Sequence, residues 1–389
     1  MRNSQYSRSK KGGAPYHSSK AVPGKQAGNI RRKYFALTIL AVILLAGVLY
    51  TSTLKSDQSN VGNSNTNSSQ KDKGSNNPLV GMTLFVDPDS HAIRQAAEWR
   101  TSRPEDAAAM DKLGALPVAR WFTSQESLDK LPEYLATAAK SASVPTIVLY
   151  NIPFRDCGRY SAGGANSAED YESYVRRFSE IVGSQQVIVI VEPDAIPNIE
   201  MNKDSGTKCL ANKQQDLVFG LIRESVVQLK QLPGAKVYID SGNSGFVKDP
   251  SEMADGLRKA GIENADGFSL NISNFKTTDE TVKYGKKISS KTGNKHFVID
   301  SSRNGLGSYQ NPKNPEYDWC NPPGRGLGHY PTVRTETEWV DAFLYIKYPG
   351  ESDGQDPDES KCQGGPQAGD WWPDYALGLV QRWPKDLQP

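Results

Sequence analysis

An α/β fold built on a parallel sheet, curled into a distorted and incomplete (β/α) barrel with its cleft at the C-terminal strand ends, is what the sequence predicts. Three observations lead there. Short apolar runs recur from residue 146 onward, amphipathic stretches separate them, and each run ends in polar residues. Continuous apolarity, rather than alternation, marks strands covered on both faces. Strand–helix alternation repeated this often implies parallel strands with crossover helices. The C-terminal ends of such strands converge on one face, where barrels of this type carry their active sites.

The runs are TIVLYNIP (146–153), QVIVIVEPD (186–194), KVYIDSGNS (236–244), GFSLNISNF (267–275), HFVIDSSRNG (296–305) and FLYIKYPGESDG (343–354). Between them lie helix-like stretches such as SAEDYESYVRRFSEIVG and QQDLVFGLIRESVVQLKQL; in the second, Leu217, Leu221, Val226 and Leu229 can share a face. The strand tips present Asn151, Arg155, Asp156, Asp194, Asp240, Asn271, Asp300, Lys347, Glu351 and Asp353. Loops are polar by default, but carboxylates at several tips of one sheet point to a site.

Ahead of the globular part the chain is divided by composition. Residues 1–33 are basic and end in Arg31-Arg32-Lys33, and residues 34–50, YFALTILAVILLAGVLY, carry no charge. With its flanks that stretch is long enough to span a bilayer, and the preceding basic residues place the N-terminus in the cytoplasm. It reads as a transmembrane signal-anchor or as a cleaved signal, and both imply export. Residues 51–76 are Ser/Asn-rich with almost nothing to bury, a flexible linker. The globular domain is expected over residues 77–389.

The net charge of +2 gives no global nucleic-acid signature. Four cysteines (Cys157, Cys209, Cys320, Cys362) form no CxxC, and the four histidines no HExxH. No metal site and no cofactor are expected, for want of paired ligand spacing, a phosphate loop or a dinucleotide fingerprint. The acidic QDPDE at 355–359 lacks the Gly and terminal Glu of a calcium loop, and DPD at 87–89 reads as a turn. Outside the cell four cysteines imply two disulfides, with three pairings open.

The stretch VIVIVEPDA, residues 187–195, runs five β-branched residues straight into Glu192, Pro193 and Asp194. A carboxyl at the mouth of an apolar strand is partly desolvated, which raises its pKa and keeps a proton on it. Such a group is a general acid, and with a second, ionised carboxylate it forms the pairing that breaks glycosidic bonds. The competing reading is an Asp that caps the helix in AIPNIEMN.

At this point the residues carry a resemblance. VIVIVEPDAIPNI and YNIPFRDCGRYSAGGA (150–165) resemble the two signatures of glycoside hydrolase family 6, the inverting cellulases. IDSGNSGF, GFSLNISNF, VIDSSRNG, WCNPPGRGLG and YIKYPGESDG follow in that family's order, so the likeness covers residues 77 to about 383. It implies Asp194 as the acid that protonates the leaving oxygen, Asp156 as the neighbour that holds the proton there, and Arg155 as the residue that tunes the pair. Asp353 matches the proposed catalytic base, with a water route through Ser161 and backbone near Asp156 as the rival. An inverting enzyme leaves roughly 6.5–9.5 Å between its carboxyls for a water. Tyr150 would lie under the distorted sugar, Lys347, Glu351 and Asn271 would meet sugar hydroxyls, and Trp121 and Trp319 would stack on sugar faces. Trp371-Trp372 are read mainly as packing. The resemblance pairs Cys157 with Cys209 and Cys320 with Cys362.

Two positions depart from the family: Asn243 stands where it usually has His, and Phe246 where it usually has Trp, both on the leaving-group side. Members that work from chain ends roof the cleft with long loops, whereas the span 319–353 here is compact. The resemblance thus implies an extracytoplasmic endo-β-1,4-glucanase, acting as a monomer on cellulose-type glucan and tied to a membrane through residues 34–50. The alternatives are an exo-acting cellobiohydrolase and a catalytically weak surface glucan-binding protein.

Overall fold

Seven parallel strands lie side by side in the order in which the chain makes them: β1 (Arg120–Phe122), β2 (Thr146–Leu149), β3 (Val187–Val191), β4 (Ala235–Asp240), β5 (Gly267–Leu270), β6 (His296–Asp300) and β7 (Val340–Leu344). The computed structural model describes residues 77–201, 209–312, 314–356 and 361–389. Residues 1–76, with the expected basic segment, apolar span and linker, lie outside it. Among the described residues no helix is long and apolar enough to cross a membrane.

The helices are α1 (His91–Trp99), α2 (Pro104–Gly114), α3 (Leu131–Lys140), α4 (Ala168–Val182), α5 (Ala195–Met201), α6 (Asn212–Leu229), α7 (Pro250–Lys259), α8 (Thr278–Ser289) and α9 (Pro373–Gln381). Their starts follow local chemistry. Ser167 accepts the Asp170 N–H ahead of α4, and Thr277 accepts the Glu280 N–H ahead of α8, so each side chain satisfies one of the orphan donors of a first turn.

Strand β3 shows why its sequence never alternates. Val187, Val189 and Val191 pack outward with helix residues such as Tyr171, Tyr174, Phe178 and Ile222. Ile188 and Ile190 point inward to a second cluster with Val148, Tyr150, Tyr238, Val298 and Leu344. Both faces are dry, and each such side chain contributes roughly 1.5–3 kcal/mol on burial. The sheet curls without closing by a ladder: a single parallel bridge, Val118 to Tyr345, joins the approach to β1 with the exit from β7. This is the incomplete α/β barrel that the alternation predicts.

Two sequence expectations shift. Leu217 does not share the buried face of α6; it is exposed, and Val218 joins Leu221, Ile222, Val226 and Leu229 there. The run 343–354 is strand only at its first two residues; β7 begins earlier, at Val340, and the rest forms the tip loop. The 87–89 segment is an Asx turn, with Asp87 Oδ1 accepting the Asp89 N–H at 2.9 Å. At the opposite end of the sheet from the tips, the Asn77 side-chain amide donates to the Asp341 carbonyl at 2.8 Å, and its Oδ1 accepts the Leu79 N–H at 2.8 Å.

Candidate active site

The turn after β3 places Asp194. Glu192 and Asp194, on either side of Pro193, both adopt left-handed backbone, with φ of 48° and 67°. Bulky residues avoid that region, so the turn is strained and must be held from outside. The Asp194 N–H donates to Asp240 Oδ2, at the tip of β4, at 2.9 Å. The carbonyl of Asp194 accepts the Asn198 N–H at 2.9 Å and so opens α5 through the backbone. Burial raises the Asp194 carboxyl well above the usual range, and the nearby Asp240 and Asp156 charges add to the rise. Asp240 is itself pushed up to about 7 by burial, against the backbone N–H groups it accepts. Like charges gathered in a poorly solvated place resist joint ionisation.

The loop after β2 brings Asp156. Its carboxyl is raised by burial, while the Ser161 N–H, donating to Oδ2 at 2.8 Å, pulls the other way. Arg155 spends its guanidinium on backbone: Nη1 donates to the Tyr150 and Thr123 carbonyls at 2.7 and 3.1 Å, Nε to the Ser161 carbonyl at 2.8 Å, and Nη2 to the Ala162 carbonyl at 3.2 Å. All three of its nitrogens are thus committed to main-chain carbonyls. It closes the loop on itself and lends Asp156 only a minor charge effect. Gly164 lets the loop return: a Cβ there would meet the Ile152 carbonyl at 2.0 Å, and its φ is +91°. Tyr150 lies beneath this loop, nearly buried, with the Arg155 guanidinium 4.8 Å from its ring. Trp121 meets Tyr150 edge-on at 5.2 Å and anchors its indole N–H on the Ile346 carbonyl at 2.8 Å.

The loop after β7 brings Lys347, Glu351 and Asp353. Asp353 is clamped by Arg303, with both Nη atoms 2.9 Å from its two oxygens, and Oδ2 also accepts the Asn321 N–H at 3.0 Å. Arg303 is 0% exposed, stacks at 4.4 Å on Phe275 and also donates to the Ser273 carbonyl. Lys347 Nζ lies 3.8 Å from Glu351 Oε2 and donates to the Ser352 carbonyl at 3.3 Å. Burial raises the Glu351 carboxyl, and Lys347 offsets part of that. Trp319 stands beside Tyr160 at 6.1 Å. A Cβ on Gly354 would come within 2.7 Å of Tyr160, so the β2 and β7 loops meet through that ring.

Other expected contacts are placed differently. Asn271 has no exposed surface; its amide donates to the Asp300 carbonyl at 2.9 Å and its Oδ1 accepts the Lys276 N–H at 3.1 Å, which removes it from the sugar contacts. Asn243 is buried and spends its Oδ1 on the Gly245 and Phe246 N–H groups at 2.9 and 3.1 Å, so it shapes the turn that presents Phe246 rather than offering that oxygen to a ligand. Phe246 itself is half-buried. Asp300 accepts N–H groups from Ser273, Ser302, Ile346 and Lys347 at 3.0–3.2 Å and ties the tips of β5, β6 and β7 together. Trp371 and Trp372 pack, the first stacked on His91 at 5.4 Å and the second on Tyr375 at 5.1 Å. The disulfides are Cys157–Cys209, which ties the Asp156 loop, and Cys320–Cys362, with Cα separations of 5.7 and 4.7 Å.

Sequence reasoning named Asp240 and Asp300 only as tips and missed Arg303. The signal for Arg303 was present: an arginine in an otherwise small-residue tip, SSRNG, needs a carboxylate if it is to be buried.

The C-terminal strand ends of this incomplete parallel barrel thus gather Asp194, Asp156 and Asp240, each raised by burial. The family model described as Glycosyl hydrolases family 6 matches residues 79–383, and the chain belongs to that family. It is 36% identical over 312 residues to "Endoglucanase A" of Cellulomonas fimi, a match covering 79% of this chain and 63% of that one, so it spans under two thirds of that relative's length. To "Endoglucanase 1" of Streptomyces sp. (strain KSM-9) it is 38% identical, over 66% of this chain and 70% of the relative. Among solved structures, the endoglucanase Cel6 from Mycobacterium tuberculosis, in complex with methyl-cellobiosyl-4-deoxy-4-thio-β-D-cellobioside, matches with a TM-score of 0.70 and 38% identity, covering 79% of this chain and 99% of that one.

Proposed function

We propose that the chain is an inverting endo-β-1,4-glucanase that hydrolyses cellulose-type glucans outside the cytoplasm, with Asp194 as general acid. The observation that carries this reading is the Asp194 carboxyl, raised by burial and by the Asp240 and Asp156 charges, on a turn pinned at 2.9 Å to Asp240. A carboxyl that keeps its proton at neutral pH can give it to a glycosidic oxygen. Tyr150 then supports the reacting sugar from below, Trp121, Trp319 and Phe246 offer flat faces along the chain, and Lys347 and Glu351 supply polar contacts.

The base is read from Asp353's partners. Both of its oxygens accept charge-assisted bonds from Arg303 and Oδ2 also accepts the Asn321 N–H, so they are engaged by the protein rather than turned to a water. That favours the water route by Ser161 and Asp156, with the Arg303–Asp353 pair fixing the field and the loop. Internal cutting draws support from the endoglucanase names of the relatives at 36–38% identity, against 26–28% for relatives named as exoglucanase or cellobiohydrolase, and from the short span 319–353. Two disulfides support export, and the uncharged residues 34–50 support a single-pass anchor that leaves the catalytic domain outside.

The test is viscosity loss against reducing ends released from a soluble cellulose derivative, with Asp194→Ala as control. A steep fall in viscosity with few new ends, reduced about 10²–10⁴-fold in the variant, is expected. Ends accumulating while viscosity holds would make the enzyme end-acting. Glucan binding with no turnover that depends on Asp194 would make it a binding protein.

A further inference from the structure

Glu192, the other acid of VIVIVEPDA, is 1% exposed and takes no part in the chemistry above. Both of its carboxylate oxygens accept the Asn151 N–H at 3.0 Å, and Oε2 also accepts the Ile152 N–H at 3.0 Å. These donors directly follow Tyr150, whose own carbonyl is held by Arg155 at 2.7 Å. The Glu192 backbone N–H continues the ladder to the Leu149 carbonyl at 2.9 Å. One residue therefore reaches the tip of β2 through its main chain and its side chain, while its own φ of 48° begins the strained turn that aims Asp194. Strain of that kind persists only where the surroundings over-determine it. On the far side the turn has one matching tie, the Asp194 N–H to Asp240.

We propose that Glu192 is a positioning residue for the hydrolysis, its carboxylate fixing the spacing between the Asp194 turn and the loop that carries Tyr150 and Asp156. This rests on the glucanase reading given above. Burial pushes the Glu192 carboxyl up to about 7 while the Asn151 and Ile152 N–H groups and the Tyr171 hydroxyl pull it down, so the brace costs desolvation and is offset by the donors it captures. A leucine of similar volume fills the space but accepts nothing, so it keeps the packing and removes the brace.

The test compares Glu192→Leu and Glu192→Gln in the full chain. In the first, two buried N–H groups lose their acceptor and the loop shifts; a misplacement of about 1 Å lowers kcat about 10²-fold, with KM for a cello-oligosaccharide within about 3-fold. In the second, an amide oxygen at the Oε2 position still reaches both donors, and kcat recovers to within about 10-fold of the original. Hydrogen exchange provides a readout independent of turnover: the Asn151 and Ile152 amides exchange faster in Glu192→Leu while those of Val187–Val191 stay protected. Full kcat in Glu192→Leu, or exchange rising evenly through β3, overturns the proposal. If the unaltered chain turns over no glucan, the glucanase reading fails and the exchange pattern alone decides whether the brace exists.

Discussion

Replacing Asp240 by Asn removes one charge beside the acid while keeping an oxygen for the Asp194 N–H, which now donates to Oδ2 at 2.9 Å. A charge within about 4–6 Å shifts a carboxyl by about one to three pH units. Solvent in the cleft reduces that to about one to two. The sign follows from the chemistry. As the proposed general acid Asp194 works while protonated, Asp240 raises its pKa, and so losing the Asp240 charge lets Asp194 lose its proton at lower pH. Burial pushes Asp240 up to about 7, so the effect is small well below neutrality and grows above it. The alkaline limb of kcat/KM on a soluble glucan should move down by about one to two units in Asp240→Asn, and activity at pH 8 should fall about 10–100-fold while activity at pH 5 changes little. The pair titrates as a unit, so the limb reports a macroscopic value. An unmoved limb, or a uniform loss at every pH, would refute the idea that Asp240 keeps the acid loaded.

Two stability predictions complete the set. Arg303→Leu leaves Asp353 buried without its cation, and chemical denaturation should show a loss of about 3–5 kcal/mol, part of it restored in Arg303→Leu/Asp353→Leu; a loss below about 1 kcal/mol would mean that water already reaches the pair. Replacing both cysteines of either disulfide by serine should cost about 4 kcal/mol, because the bridged positions are 52 and 42 residues apart. Loss of Cys157–Cys209 should also lower kcat, since Cys157 adjoins Asp156, and unchanged kcat at a matched folded fraction would detach that bond from the site.

The strands legible in the sequence are those buried on both faces. VIVIV and HFVID each announce themselves because neither the helix side nor the barrel interior admits a polar residue. Strand β1 was not legible: RWF has three residues, and its first two are only half-buried. The carboxyls of the site were legible because a tip that follows a dry strand has few reasons to be acidic. Their partners were not. Arg303 meets Asp353 across 50 positions of chain, and Glu192 meets the β2 tip across about 40, contacts that only the curl of the sheet creates. The partners of Asn271 and Asn243 were hidden for a related reason. An amide at a strand tip reads the same in sequence whether it faces a sugar or satisfies its own turn, and here the backbone donors were nearer.

The hold on Asn77 has a mechanical consequence. Its side chain grips the carbonyl of Asp341, near the beginning of β7, so the polypeptide enters the barrel at the base of the sheet, one full strand length from the acids. The same amide also reaches the Val333 carbonyl at 3.3 Å, so Asn77 fastens the first turn of the described chain to two segments at the end of the sheet away from the loops around Asp194 and Asp353.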